Sequence, residues 1–173
     1  PILSFTADEL NEHIPGERSD NIFIEEVYTG VANLLDESQG EVALMQTLCE
    51  VKVAVNKAIE GERSNGTVGA SLEAEVIIYA EQSLATQLLA IKDELRFVLM
   101  ASAVTVVSDQ AAPDNAIATE LDAMKLVINK SEHEKCARCW HHREDVGAVE
   151  VHPELCQRCV DNVDGDGEER FYA

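Results

Sequence analysis

Lys135-Cys136-Ala137-Arg138-Cys139-Trp140 and Cys156-Gln157-Arg158-Cys159 decide the C-terminal end of this chain. Each run holds a C-x-x-C pair, and sixteen residues separate Cys139 from Cys156. Two thiolates on one tight turn can share a tetrahedral ion, and a second pair completes a shell of four sulfurs with no open position. That pattern predicts one structural zinc ion held by Cys136, Cys139, Cys156 and Cys159. A redox C-x-x-C occurs as a single pair at a helix start, so the doubled arrangement argues against it. His133, His141, His142 and His152 lie nearby, but four sulfurs already fill the shell, and most of these histidines are expected at the surface. The segment has too little apolar material to fold alone, so metal binding must supply its folding free energy.

Working outward from the cysteines, Met124–Asn129, Ala103–Val107 and Glu75–Ala80 are rich in β-branched residues and read as strands. Between the last two, residues 81–92 read as a helix with Leu84, Leu88, Leu89 and Ile91 apolar, and a further turn or two covers 93–100. Residues 108–119, with Pro113, read as a polar loop. Strand–helix–strand order predicts a small sheet with a helical cover. Upstream, Val42, Met45, Leu48, Cys49, Val51, Val55, Ala58 and Ile59 recur at spacings of three and four over residues 40–63, the signature of an amphipathic helix ended by Ser64-Asn65-Gly66. Cys49 on that stripe is expected in the core. Residues 1–14 read as the end of a helix stopped by Pro15-Gly16, and Ser19 to Tyr28 as a connector. The fold class is therefore α+β: a helical segment over residues 1–72, a small α/β subdomain over 73–130 and a four-cysteine zinc finger over 131–173.

The 173 residues are 46% hydrophobic, enough for a packed core, and carry a formal net charge of -20. Such a chain repels polyanions on average, so contact with nucleic acid needs a local patch. From Lys130 to Cys159, five basic residues (Lys130, Lys135, Arg138, Arg143, Arg158) meet six acidic ones, leaving -1. This nearly neutral stretch also holds Trp140, the single tryptophan. An aromatic beside arginines is a stacking platform for an unpaired base; the other reading packs Trp140 over the knuckle. No run of 18 apolar residues long enough to span a membrane occurs, and Pro1-Ile2-Leu3-Ser4-Phe5 lacks the basic flank of a signal peptide. Five cysteines fit a reducing compartment. Pro1 in place of Met is expected to mark an internal starting point.

The cysteine segment resembles the C-terminal zinc motif of bacterial isoleucyl-tRNA synthetases. The likeness runs through Lys135-Cys136-Ala137-Arg138-Cys139-Trp140-His141, Asp145-Val146-Gly147, His152-Pro153-Glu154-Leu155-Cys156-Gln157-Arg158-Cys159-Val160 and the ending Gly165-Asp166-Gly167-Glu168. Upstream, Phe5-Thr6-Ala7-Asp8-Glu9, Pro15-Gly16-Glu17-Arg18, Val55-Asn56-Lys57-Ala58-Ile59-Glu60, Val68-Gly69-Ala70-Ser71-Leu72-Glu73-Ala74 and Asp93-Glu94-Leu95-Arg96-Phe97-Val98-Leu99 resemble the late anticodon-binding domain and the elements after it. The chain departs from the family where Trp is common (at Leu10 or Asn11, and at Val27) and at Lys52, where Arg is common.

The resemblance implies a cytoplasmic, monomeric parent enzyme that attaches isoleucine to its tRNA using ATP and hydrolyses mischarged valine, a correction made necessary by the small energy of one methylene. The nucleotide-binding signatures of that class are absent here, so no catalytic residue is expected. The chain reads as the tRNA-binding tail, with Trp140, Arg138, Arg143, Arg158 and Lys135 as contact residues, and with isoleucine-accepting tRNA and the rest of the synthetase as partners. Two rivals are a zinc-stabilised protein-interaction module and a formamidopyrimidine-type DNA glycosylase. The second has a similar finger and a catalytic N-terminal proline. Ile2, where those enzymes have glutamate, and the charge of -20 count against it.

Overall fold

The computed structural model describes residues 3–16, 19–26, 39–91 and 94–172. Pro1, Ile2, Glu17, Arg18, Val27, Tyr28, Asp93 and Ala173, named above, lie outside them. Two compact units divide the chain, Pro1–Gln39 and Gly40–Ala173.

In the first unit, helix α1 covers Ser4–His13. The sequence Pro15-Gly16 ends it as expected, with Gly16 at φ +115°, a conformation that favours glycine. Asn11 is buried and its amide donates to the Ser19 carbonyl at 2.8 Å, tying the connector back to the helix. A 3-10 turn, Ile22–Ile24, follows, and the Asn21 side chain accepts from the Phe23 N–H.

The second unit begins with α2, Gln39–Ser64, and continues through β1 (Ala74–Ala80), α3 (Gln82–Ala90), the short α4 (Leu95–Leu99), β2 (Ala103–Ser108), β3 (Ile117–Ala118), β4 (Met124–Lys130) and α5 (Gln157–Asp164). The sheet order is β2-β1-β4-β3. Strand β1 is central: it pairs in parallel with β2 (Ile78 opposite Val106) and antiparallel with β4 (Ile78 opposite Leu126). The parallel pair needs a crossover, which α3 and α4 provide. Alternation along β1 buries Ala74, Val76, Ile78 and Ala80 and leaves the intervening side chains half-buried. These residues join Leu84 and Leu88 of α3, Leu126 and Ile128 of β4, and Leu48, Val51, Val55 and Ile59 of α2 in one continuous core. The mixed helix-and-sheet architecture is α+β.

Two details differ from the sequence expectations. Cys49 is exposed. The buried face of α2 runs through Leu48, Val51, Val55 and Ile59, and Cys49 falls beside that stripe, on the wall of an open groove of about 750 Å³ shared with Val53, Ile117 and Leu121. The 108–119 segment is also more ordered than a loop: Asp109–Ala111 is a 3-10 turn and β3 adds an edge to the sheet, Ile117 opposite Leu126. A two-residue strand leaves no periodicity to detect.

A side chain buried as fully as Ile78 contributes roughly 1.5–3 kcal/mol through burial alone, and its truncation adds a cavity cost. Ile78→Ala should lower unfolding free energy by about 2–5 kcal/mol in urea titrations, whereas Cys49→Ser should stay within about 0.5 kcal/mol of wild type. Equal losses in the two variants would contradict this core.

Candidate metal centre

The finger begins where β4 ends. Ser131 is buried, donates its hydroxyl to Glu75 at 2.6 Å and anchors the crossing from strand to knuckle. Lys135 and His142 form an isolated antiparallel bridge. Around it, the Cys136 N–H donates to the His141 carbonyl and the Arg143 N–H to the Glu134 carbonyl, each at 2.9 Å, so the first C-x-x-C pair sits at the tip of a small ribbon. The ribbon turns at Trp140, whose φ of +67° is left-handed and whose N–H donates to the Cys136 carbonyl. The second pair opens α5, and the Cys159 and Val160 N–H groups both donate to the Cys156 carbonyl.

Gly147 joins the two knuckles. Its N–H donates to the Leu155 carbonyl at 3.1 Å, its φ is +79°, and a Cβ there would lie 2.9 Å from the Pro153 carbonyl oxygen. Both the backbone conformation and the space demand glycine.

All four sulfurs lie within 4.8 Å of one another, and every cysteine is a free thiol. Cys139 Sγ and Cys156 Sγ are 3.7 Å apart. That is far beyond a disulfide bond and close to the edge of a tetrahedron with zinc–sulfur bonds of 2.3 Å, about 3.8 Å. Cys136, Cys156 and Cys159 form a small buried cluster in the finger, and among the described residues the partly buried hydrophobic side chains packed against it are Cys139, Val146 and Leu155. A cluster with so few apolar neighbours has little hydrophobic stabilisation of its own, and a metal ion is the cohesion it lacks. The donor set therefore fits one structural zinc.

The surroundings prepare the sulfurs unequally. Burial pushes the Cys136 thiol up, but the N–H groups of Cys139, Cys156 and Arg138 outweigh it and bring the group down to about 6. Burial raises Cys156 and Cys139 above the usual thiol range. Arg138 donates to Cys159 Sγ at 3.8 Å.

His141 is buried, not at the surface as its residue type suggested. Burial, reinforced by Arg96, depresses it to about 4. Its Nδ1 meets the Cys139 carbonyl at 3.2 Å, and its ring stands edge-on to Phe97 with centroids 5.7 Å apart. A neutral imidazole donating from Nδ1 satisfies this geometry. His133 is exposed, His142 and His152 half-buried, and none of the three joins the sulfur cluster.

The expected contact residues fall into two groups. Trp140 is 60% exposed, with the Lys135 ammonium 5.4 Å from its ring centroid, and Arg138, whose guanidinium reaches Cys159 Sγ, is also exposed. Arg143 and Arg158 turn to carboxylates of the chain itself, Arg143 to Asp145 at 3.6 Å and Arg158 to Glu168 at 2.6 Å.

A second set of residues fixes the finger to the sheet body and left no motif in the sequence. The Ser102 hydroxyl donates to the Leu72 carbonyl and accepts from the His142 N–H at 2.7 Å. The buried carboxylate of Glu94 accepts the N–H groups of Phe171 and Tyr172 at 2.7 and 2.6 Å, fastening the C-terminal tail. Over the ring of Phe97 lie the guanidinium groups of Arg170, Arg96 and Arg158, at 4.0, 4.5 and 4.8 Å from its centroid.

Fold and site together define a small α/β body bearing a four-thiol zinc finger. A zinc-finger family described as found in FPG and IleRS matches residues 134–162. The whole chain is 50% identical to an isoleucine–tRNA ligase of Saccharophagus degradans, 51% to one of Shewanella halifaxensis and 47% to one of Azotobacter vinelandii. In each case the match covers 100% of this chain and 18% of the relative's length. Over its full length the chain is therefore similar to the C-terminal part of bacterial isoleucyl-tRNA synthetases.

Zinc needs thiolates, so binding must expel the protons that Cys156 and Cys139 hold above the usual thiol range. His141 acts in the same direction. It stays neutral in the folded finger down to about 4 but takes up a proton near 6.5 when unfolded, so its contribution to stability is lost as pH falls through that window. Zinc affinity should therefore fall steeply between pH 7.5 and 5.5, with more than one proton released per zinc in calorimetry across buffers of different ionisation enthalpy. A pH-independent affinity would contradict this assignment.

Proposed function

We propose that this chain is the tRNA-binding C-terminal part of an isoleucyl-tRNA synthetase. In this reading Cys136, Cys139, Cys156 and Cys159 ligate the zinc, residues 73–130 form the junction that carries the finger, and residues 131–173 are the finger itself. The parent enzyme attaches isoleucine to its tRNA with ATP and edits mischarged valine, as a cytoplasmic monomer. This chain contributes RNA contacts and no catalytic group. Among the described residues, no helix is long and apolar enough to cross a membrane.

The observation that carries the proposal is the solvent-exposed ring of Trp140 at the tip of the first knuckle, with the Lys135 ammonium over it and the exposed Arg138 two residues earlier in the chain. An exposed aromatic with cations beside it receives an unpaired base on its face and phosphates at its rim. The knuckle presents it at low entropic cost, because metal bonds and the Cys136–Trp140 hydrogen bond fix the turn. The patch also lies in a nearly neutral stretch of a chain of net charge -20, where a phosphate backbone meets less repulsion than the chain's average charge would give. Arg143 and Arg158 are paired with Asp145 and Glu168 within the chain and would reach phosphates only by exchanging those partners.

Trp140 is the single tryptophan, so its fluorescence reports the contact directly and should be quenched by isoleucine-accepting tRNA. In the full-length synthetase Trp140→Ala should weaken tRNA binding about tenfold, a loss within the roughly 1–3 kcal/mol of one stacked base, and leave the salt dependence unchanged. Arg138→Ala or Lys135→Ala should weaken binding and flatten its slope against salt. Isoleucyl-adenylate formation should be untouched in all three. Wild-type affinity in a zinc-loaded Trp140→Ala variant would overturn the stacking role.

A further inference from the structure

We propose that Arg96 and Phe97, on α4 of the sheet body, are positioning residues for the metal centre, so that zinc binding and docking of the finger on the body form one coupled equilibrium. This inference rests on the zinc reading of the four thiols and goes beyond it, because Arg96 and Phe97 lie outside both knuckles and ligate nothing.

The geometry is a short relay of contacts. The Arg96 guanidinium lies 4.5 Å from the Phe97 ring centroid. The edge of that ring meets His141 at 5.7 Å, and His141 is bonded to the Cys139 carbonyl, one residue's backbone from a sulfur. Arg158, next in sequence to Cys159, lies over the same ring at 4.8 Å, and Arg170 from the tail lies over it at 4.0 Å. Three guanidinium groups around one ring repel each other. Glu168 offsets part of that repulsion by bonding Arg158 and Arg170 at 2.6 and 2.8 Å. Arg96 is half-buried, and among the described residues it makes no ion pair with a carboxylate.

Four thiolates around a divalent ion carry two net negative charges, whereas four protonated thiols carry none. The loaded centre therefore attracts Arg96 and its neighbours, and the metal-free centre leaves the guanidinium groups to repel one another. Coupling of this kind is reciprocal. Residues on the body should hold the metal, and the metal should hold the body's α4 and the tail fastened by Glu94. Removal of an outer-shell partner typically costs a metal site about 10–100-fold in affinity.

Zinc transfer from the loaded chain to a chromophoric chelator tests the first direction, after circular dichroism has confirmed each variant's fold. Arg96→Gln and Phe97→Leu should release zinc about tenfold faster than wild type, and Arg96→Lys, which keeps the charge, should release it at close to the wild-type rate. Hydrogen exchange on the wild-type chain tests the second direction without any substitution. Zinc removal should speed exchange at Leu95–Leu99 and at the Phe171 and Tyr172 amides while β1 stays protected. Unchanged release in both Arg96→Gln and Phe97→Leu, or unchanged exchange across α4 and the tail, overturns the coupling and leaves the zinc site standing. A wild-type chain that binds no zinc overturns the site and the coupling together.

Discussion

Four sulfur atoms converging on one point constrain everything at the C-terminal end of this molecule. The hydrophobic cluster of the finger is small: Cys136, Cys156 and Cys159, with Cys139, Val146 and Leu155 half-buried against them among the described residues. Hydrophobic burial on that scale cannot offset the entropy of ordering the two knuckles. Metal–thiolate bonds can, and the local backbone is shaped to receive them. Gly147 allows one knuckle to pass under the other, and the left-handed turn at Trp140 closes the first pair. The same turn that brings Cys139 to the cluster directs the tryptophan ring outward, so the exposed platform follows directly from the coordination geometry.

The sheet body has a different source of cohesion. Its core is a continuous apolar cluster running from α2 through β1 to β4, and it needs no ion. The two regimes meet along a polar seam in which Ser102, Ser131 and Glu94 satisfy backbone and side-chain groups, and Phe97 gathers cations from the body, the second knuckle and the tail. Buried polar contacts of this type specify one docking geometry, because leaving any of these groups unpaired carries a desolvation penalty. A finger held this way presents its tip in a fixed direction relative to the sheet.

Features carried by local pattern are legible in the amino-acid sequence. The paired C-x-x-C spacing, the β-branched runs of β1, β2 and β4, the long period of α2 and the stop at Pro15-Gly16 all act within a few residues of chain. Features carried by distant contacts are not legible there. Glu94 meets Phe171 and Tyr172 across nearly eighty residues, and Phe97 meets Arg158 and Arg170 across a comparable stretch, so no window of sequence contains both partners. Cys49 departs from expectation for a geometric reason: it sits one step round the helix from Leu48, at the border of the stripe, and the border faces a groove. His141 departs from it because its type is usually found at the surface, while the knuckle folds it under Phe97.

A synthetase tail of this design would leave catalysis to the rest of the enzyme and add affinity for a single-stranded part of the tRNA through one rigid aromatic and a few cations. On this reading the metal creates the tRNA-binding surface. The most direct measurement is tRNA affinity during stepwise addition of zinc to the metal-free chain, with Trp140 fluorescence read in parallel. Affinity should rise in proportion to bound zinc and saturate at one equivalent, with the fluorescence change following the same curve. If the metal-free chain binds tRNA as tightly as the loaded chain, the account fails at its foundation.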